Sequence, residues 1–109
     1  MEPRLKTHIW VHGYLRRCAV ENIPAFVTRH GDETSGTVLV KVNLLNGHAR
    51  IFEAVFDDKG ERIWLPALKE DPAQEAEADA FIARASSRDP DIWVVEIENR
   101  SGDPRLDGF

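Results

Sequence analysis

Two runs of alternating apolar residues flank an Asn-Gly pair near the middle of the chain, and this feature constrains the fold most. Residues 37–45 precede Asn46-Gly47, and residues 48–56 follow it. Both turn residues tolerate a positive φ angle, so the pattern predicts an antiparallel β-hairpin with a two-residue loop. A hairpin of this length needs further strands or helices to cover its apolar face.

The predicted register assigns side chains to the two faces of the hairpin. Val40 is expected opposite Glu53, which interrupts an otherwise apolar face and needs a partner if it is buried. A frayed sheet edge would leave Glu53 solvated instead. On the other face Asn43 is expected opposite Arg50 and close to Lys41. These three polar side chains are a candidate anion-binding site, although an exposed polar face produces the same pattern.

The rest of the chain predicts two helices and three further strands. Apolar residues spaced three and four apart predict a helix over residues 7–22, with Thr7 as its N-cap. A second helix is predicted over residues 71–87, with Asp71 as its N-cap and Pro72 as its first residue. The additional strands, each rich in apolar residues, are predicted over residues 25–30, 61–68 and 92–99.

This order of helix, four strands, helix and strand predicts a single α+β domain. We expect an antiparallel sheet of about five strands with both helices packed on one face. The chain has 109 residues, a length that suffices for one hydrophobic core but not for two. Its three tryptophans supply large apolar side chains for that core. The domain is expected to cover residues 1–100. Residues 101–109, with two glycines and one proline, are expected to form a flexible C-terminal tail.

The formal net charge of -5 is unevenly distributed along the chain. Basic residues outnumber acidic ones by three in residues 1–30, whereas acidic residues outnumber basic ones by seven from residue 70 onward. The negative net charge argues against nucleic-acid binding as the main function. Arg16 and Arg17 on the first helix nevertheless leave a basic binding surface as one interpretation. The other interpretation is that the basic first part and the acidic last part of the chain lie near each other and neutralise each other's charge.

The single cysteine, Cys18, excludes a disulfide within the chain and fits a reducing compartment. Its position on the apolar side of the first helix favours packing over reactivity, although Arg16 and Arg17 could lower its pKa. The first residues lack the apolar stretch of a secretory signal, and no apolar run is long enough to span a membrane. We therefore expect a cytoplasmic protein without a membrane partner.

Two pairs of side chains are candidate metal ligands. His8 and His12 lie four residues apart on the first helix, so both imidazoles can project to one side, a geometry that suits zinc or nickel. Glu96 and Glu98 share one face of the last strand because side chains alternate, and two carboxylates could hold a cation. Either pair needs further ligands. Surface histidines and a solvated acidic strand end are therefore the alternatives.

Several segments spread over nearly the whole chain resemble the domain-of-unknown-function family 1491. The most distinctive is the string from Asp89 to Glu98, and the others include Arg4-Leu5-Lys6-Thr7, Gly31-Asp32, Gly36 and Ile82-Ala83-Arg84. This resemblance implies a short, stand-alone bacterial protein with no assigned activity. It therefore implies no catalytic residues for the present chain.

The residues contain no serine–histidine–acid order, glycine-rich phosphate loop or paired Cys-x-x-Cys. The absence of these motifs favours a protein that has no catalytic activity and binds no cofactor, but it does not exclude an enzyme. The favoured interpretation is a small binding or interaction module with an unknown protein partner, or a homodimer through a strand edge or the mixed hairpin face. The alternatives are a metal-dependent hydrolase that uses Glu96, Glu98 or the histidines, and weak nucleic-acid binding through the first helix.

Overall fold

The computed structural model describes residues 5–109, which form two α-helices and a mixed β-sheet of six strands. In chain order the elements are α1 Thr7–Val20, β1 Ala25–Arg29, β2 Val38–Asn43, β3 His48–Phe56, β4 Arg62–Pro66, β5 Ala73–Gln74, α2 Glu75–Arg88 and β6 Trp93–Glu98. The strand order is β1-β6-β2-β3-β4, and the short β5 pairs with β3. The α+β class is therefore confirmed.

The sheet is mixed, so the prediction of a purely antiparallel sheet is wrong. β6 lies between β1 and β2, antiparallel to the first and parallel to the second. The segment through β3, β4 and α2 is long enough to bring the chain back in the direction of β2. Residues 92–95 form a continuous apolar run, which is typical of a strand that is buried on both faces.

The hairpin register differs by one residue from the predicted one. Val42 lies opposite Arg50, Asn43 lies opposite Ala49, and the Leu44 amide donates to the His48 carbonyl at 3.0 Å. The Asn-Gly pair thus belongs to a three-residue loop that begins at Leu45, which has a positive φ of 61°. The Leu45 amide donates to the Asn43 side-chain oxygen at 2.8 Å, which stabilises this longer loop.

The two helices lie on opposite faces of the sheet, which corrects the expectation that both pack on one face. Side chains alternate along β2, and Val40 and Val42 belong to the hydrophobic cluster that includes Trp10 of α1. Leu39 belongs to a second cluster, which includes Ala78 of α2. We call these two sides the α1 face and the α2 face. Because β2 carries apolar residues on both sides, each side requires a cover.

Both helices begin differently from the prediction. Thr7 is the first residue of α1 instead of its N-cap, and its hydroxyl donates to the Gly36 carbonyl at 2.9 Å. The Thr7 and His8 amides donate to backbone carbonyls of residues 33 and 34, which replace a side-chain cap. α2 begins at Glu75, because the preceding residues 73–74 pair with β3 instead of joining the helix.

Residues 101–109, for which the sequence predicts a flexible tail, lie against α1 in the structure. Leu106 is buried in the core cluster of the α1 face. The Tyr14 hydroxyl donates to the Pro104 carbonyl at 2.5 Å, and the Phe109 ring lies 5.9 Å from the Trp10 ring, centroid to centroid. The segment therefore covers part of α1 that the sheet leaves open.

Candidate functional site

Three carboxylates surround the buried side chain of Lys41 on the α2 face. The Lys41 Nζ atom lies 2.8 Å from Glu75 and 2.7 Å from Asp79, both on the first turns of α2. It lies 3.3 Å from Glu96 on the neighbouring strand β6. The Asn43 amide completes the cluster, because its nitrogen donates to Glu75 at 3.3 Å and to Glu96 at 3.4 Å. Glu96, a predicted metal ligand, thus meets Lys41 and Asn43, two residues of the predicted anion site.

The charges of this cluster decide what it can do. Burial by itself lowers the pKa of Lys41, but the hydrogen bonds to Asp79 and Glu75 and the charge of Glu96 outweigh burial and raise the pKa above its usual value. Lys41 therefore stays protonated and cannot act as a nucleophile or a base. Since the carboxylates outnumber the ammonium group, the cluster also repels anions.

We expect Lys41→Met to lower the free energy of unfolding by about 2 kcal/mol at pH 7, because it leaves three carboxylates close together without a counter-charge. The effect is below that of a fully buried ion pair, since Glu75 and Asp79 are partly solvated. Urea denaturation followed by circular dichroism measures it. Lys69→Met, at an exposed lysine, is the control and should change stability by less than about 0.5 kcal/mol. Equal stability of both variants would contradict this account.

Arg50 does not join Lys41 and Asn43, because the observed register places it on the α1 face. Its guanidinium makes two parallel hydrogen bonds to Asp71, of 2.7 and 2.8 Å, and a third of 2.9 Å to the Gly102 carbonyl. It also lies over the Phe52 ring, 4.6 Å from the centroid. Arg50 therefore holds the segment before β5 and the C-terminal segment against β3.

The two arginines of the predicted basic surface on α1 have different surroundings. Arg16 is exposed, whereas Arg17 forms a 2.9 Å salt bridge with Asp107 and a 3.5 Å contact with Glu21. Cys18, next in the chain, is fully buried, and burial raises the pKa of its thiol. Its position supports packing over a reactive thiolate.

The two candidate pairs of metal ligands lie on different sides of the sheet. The rings of His8 and His12 meet edge to face on α1, with centroids 6.2 Å apart, and His8 Nδ1 is 3.0 Å from the Glu33 carbonyl oxygen. Glu96 and Glu98 lie on the α2 face, where Glu96 contacts Lys41. Within residues 5–109, no group of three or more histidine, cysteine or acidic side chains converges as metal ligands would.

A pocket of about 460 Å³ opens between the N-terminal end of α1 and the β3–β4 hairpin, on the α1 face. We call it the tryptophan pocket. Its lining residues are Leu5, Lys6, Thr7, Trp10, Thr34, Ser35, Gly36, Thr37, Val38, Ala54, Phe56, Arg62 and Trp64. The Trp10 and Trp64 rings lie 5.2 Å apart at 31°, and together they form an aromatic wall. The pocket is concave and largely apolar, which is typical of small-molecule sites.

Two polar features stand out within this apolar lining. The Arg62 guanidinium lies over the rings of Trp10, Phe56 and Trp64, at 5.5, 5.9 and 6.0 Å from their centroids. The indole nitrogen of Trp64 is buried and has no hydrogen-bond partner in the part of the chain that the structure describes. The other two tryptophans differ, since Trp10 donates to the Phe109 carbonyl and Trp93 to the Asp32 carbonyl.

The sequence interpretation missed this pocket, because it assigned Trp10 and Trp64 to the core. One signal was available: Arg62 and Trp64 are two apart on one strand, so they share a face. Nothing in the local pattern shows that this face meets the start of α1, since that contact depends on the tertiary arrangement.

The family model described as "Protein of unknown function (DUF1491)" matches residues 5–107. A crystal structure of a DUF1491 family protein from Caulobacter crescentus is 42% identical, with a TM-score of 0.86, and the match covers 94% of this chain and 95% of that chain. Its counterpart solved by NMR is 41% identical, with a TM-score of 0.81 and coverage of 94% and 93%.

The solution structure of protein Atu0922 from A. tumefaciens is similar at 27% identity and a TM-score of 0.75, over 89% of this chain and 87% of that chain. None of the curated proteins matches the chain. Neither of the helices described for residues 5–109 is long and apolar enough to cross a membrane. The match over nearly the whole length shows that this chain belongs to the DUF1491 family.

Proposed function

We propose that this protein is a small binding module and that the tryptophan pocket holds its ligand. The buried indole N–H of Trp64, which lacks an acceptor among residues 5–109, carries this proposal. A buried donor without a partner costs about 1–3 kcal/mol. A ligand with a hydrogen-bond acceptor would remove that cost and would gain the apolar contacts of the surrounding rings. The volume of about 460 Å³ suits a small organic molecule.

The alternative functions have less support from the contacts. A metal-dependent hydrolase would need Glu96 to bind a cation, but this carboxylate already contacts Lys41. Nucleic-acid binding through α1 would need both arginines, but Arg17 is engaged by Asp107. Self-association through a strand edge stays a prediction. The two outer strands are β1 and β4, and β4 exposes Ile63 and Leu65.

We expect indole-3-carboxamide, a neutral flat ring with a carbonyl acceptor, to bind the wild-type protein and to raise its melting temperature. Isothermal titration calorimetry gives the affinity. Trp64→Phe keeps an aromatic ring but removes the donor, so we expect binding to weaken about five-fold.

Ile63→Thr is the matched control for this experiment. Ile63 precedes Trp64 on β4 and projects to the α2 face, away from the pocket, so this variant should bind as the wild type does. If the wild-type protein showed no binding, or if Trp64→Phe bound equally well, the proposed function would be contradicted.

A further inference from the structure

We propose that two copies of this protein associate through the outer edge of β4, so that their sheets join into one continuous sheet. The inference is independent of the ligand of the tryptophan pocket. It concerns the backbone of β4 and the side chains that this strand projects to the α2 face.

The backbone of β4 presents hydrogen-bonding groups at the edge of the sheet. On the inner side, the Ala67 amide donates to the Ile51 carbonyl at 2.8 Å. Residues of an antiparallel strand alternate between facing the neighbouring strand and facing away from it, so the N–H and C=O groups of Trp64 point away from β3. No strand within residues 5–109 pairs with β4 on that side. A strand from another chain can therefore pair there.

The second outer strand, β1, is less suited to such pairing. Its register with β6 shifts between Val27 and Arg29, and an irregularity of this kind disrupts pairing at a sheet edge. In contrast, β4 pairs with β3 in a regular register over five consecutive residues. The regular edge of β4 is therefore the better template for a new strand.

Two large apolar side chains of β4 are exposed to solvent. Ile63 and Leu65 are 40% and 45% exposed, and both project to the α2 face. In a two-fold antiparallel pair centred on Trp64, Ile63 of each copy lies opposite Leu65 of the other copy. These are positions without a hydrogen bond, where side chains of the two strands come closest. The strand is thus complementary to itself, which favours a second copy over an unrelated partner.

Pro66 favours this register over its neighbours. A pair centred on Leu65 would place Pro66 opposite Trp64 of the other copy, and proline has no N–H to donate. In the pair centred on Trp64, the two Trp64 residues exchange two hydrogen bonds, and Pro66 needs only to accept through its carbonyl. A pair centred on Ile63 would place the apolar Leu65 opposite the charged Glu61.

The surface beside this edge does not repel a second copy. A groove of about 520 Å³ beyond the end of β4 is lined by Lys69, Arg84, Glu70 and Glu77 together with apolar residues. These two positive and two negative side chains balance each other, although the whole chain has a net charge of -5. The local balance permits close approach of two identical surfaces.

The size of the shared surface determines the strength of the association. Each copy contributes one five-residue strand and two exposed apolar side chains. Such a surface buries less than about 1,200 Å² in total, which is typical of weak and reversible complexes. We therefore expect a monomer–dimer equilibrium with a Kd of about 50 μM.

Sedimentation velocity at protein concentrations from about 5 to 500 μM measures this equilibrium. We expect the weight-average mass to rise from 12.4 kDa toward twice that value. Leu65→Lys removes one member of each apolar pair and should weaken the dimer about ten-fold. Phe26→Lys, at a residue of β1 that is 43% exposed, is the matched control and should leave the association unchanged. Circular dichroism shows whether both variants fold.

A double variant tests the register. Ile63→Lys combined with Leu65→Glu places each new ammonium group opposite a new carboxylate of the other copy only when the pair is centred on Trp64. The double variant should therefore associate within about three-fold of the wild type, whereas Ile63→Lys alone should associate about ten-fold more weakly. A double variant as weak as the single one would contradict the pairing centred on Trp64.

A wild-type protein that stays monomeric at about 500 μM would overturn the inference, and so would a dimer that Leu65→Lys leaves intact. A chain that dimerises only after removal of residues 2–4 would identify the N-terminal residues as the occupant of the edge, which would overturn it as well. None of these results bears on the tryptophan pocket, because its test is the binding of a small molecule.

Discussion

Replacing Gly31 with alanine is expected to lower the free energy of unfolding by about 3 kcal/mol or more. A Cβ atom at this position would lie 2.2 Å from the Asp91 carbonyl oxygen and 2.6 Å from Cδ1 of Trp93. The first contact is with backbone, which cannot move aside as a flexible side chain does. The clash would therefore shift the start of β6, where Trp93 is buried in the core.

The Asp91 carbonyl oxygen also leaves no space for a side chain at Gly36. A Cβ atom on Gly36 would lie 2.4 Å from the Asp91 oxygen, so Gly36→Ala should be nearly as destabilising. Gly13→Ala is the matched control. Its new Cβ would lie 3.8 Å from Phe109, and alanine in the middle of α1 should stabilise the protein by about 0.5–1 kcal/mol. Urea denaturation of the three variants measures these effects, and a Gly31→Ala protein as stable as the wild type would contradict the observed packing.

Removing residues 104–109 is expected to lower the free energy of unfolding by about 4 kcal/mol. The shortened chain loses the buried side chain of Leu106 and the ring contacts of Phe109 with Trp10 and Tyr14. It also leaves the Tyr14 hydroxyl without its acceptor, the Pro104 carbonyl. Thermal denaturation should show a melting temperature lower by about 15 °C.

Asp107→Ala controls for the charge of the removed segment. It removes only the partly exposed ion pair with Arg17 and should cost about 0.5 kcal/mol. If the chain ending at residue 103 were as stable as Asp107→Ala, the C-terminal segment would contribute little to the core. The sequence expectation of a flexible tail would then describe it better than the packed arrangement does.

Local patterns predict the elements of this protein well but their arrangement poorly. Apolar spacing and the turn residues predict both helices and the five longer strands. The parallel pairing of β2 with β6 depends on contacts between segments that are distant in the chain, so no local pattern indicates it. The hairpin register changes because Leu45 adopts a positive φ angle, which is rare for a leucine and has no sequence signature.

For the candidate sites too, local patterns identify individual residues but not how the fold arranges them. The sequence singled out Lys41, Asn43 and Glu96 as candidate binding residues on two different strands, and the structure brings all three together. It assigned Lys41 to an anion site and Glu96 to a metal site because it could not place the N-terminal turns of α2 beside them. The tryptophan pocket was missed for a related reason, since aromatic residues at regular spacing indicate burial and not which rings line a cavity.

A ¹⁵N–¹H correlation spectrum of the three tryptophan indole N–H groups tests whether the tryptophan pocket is the ligand site. We expect the Trp64 signal to shift most when indole-3-carboxamide is added, because its N–H gains an acceptor. The Trp93 signal should shift less, since its N–H already donates to the Asp32 carbonyl at 2.7 Å. An unchanged Trp64 signal at saturating probe would contradict the assignment of the tryptophan pocket as the ligand site.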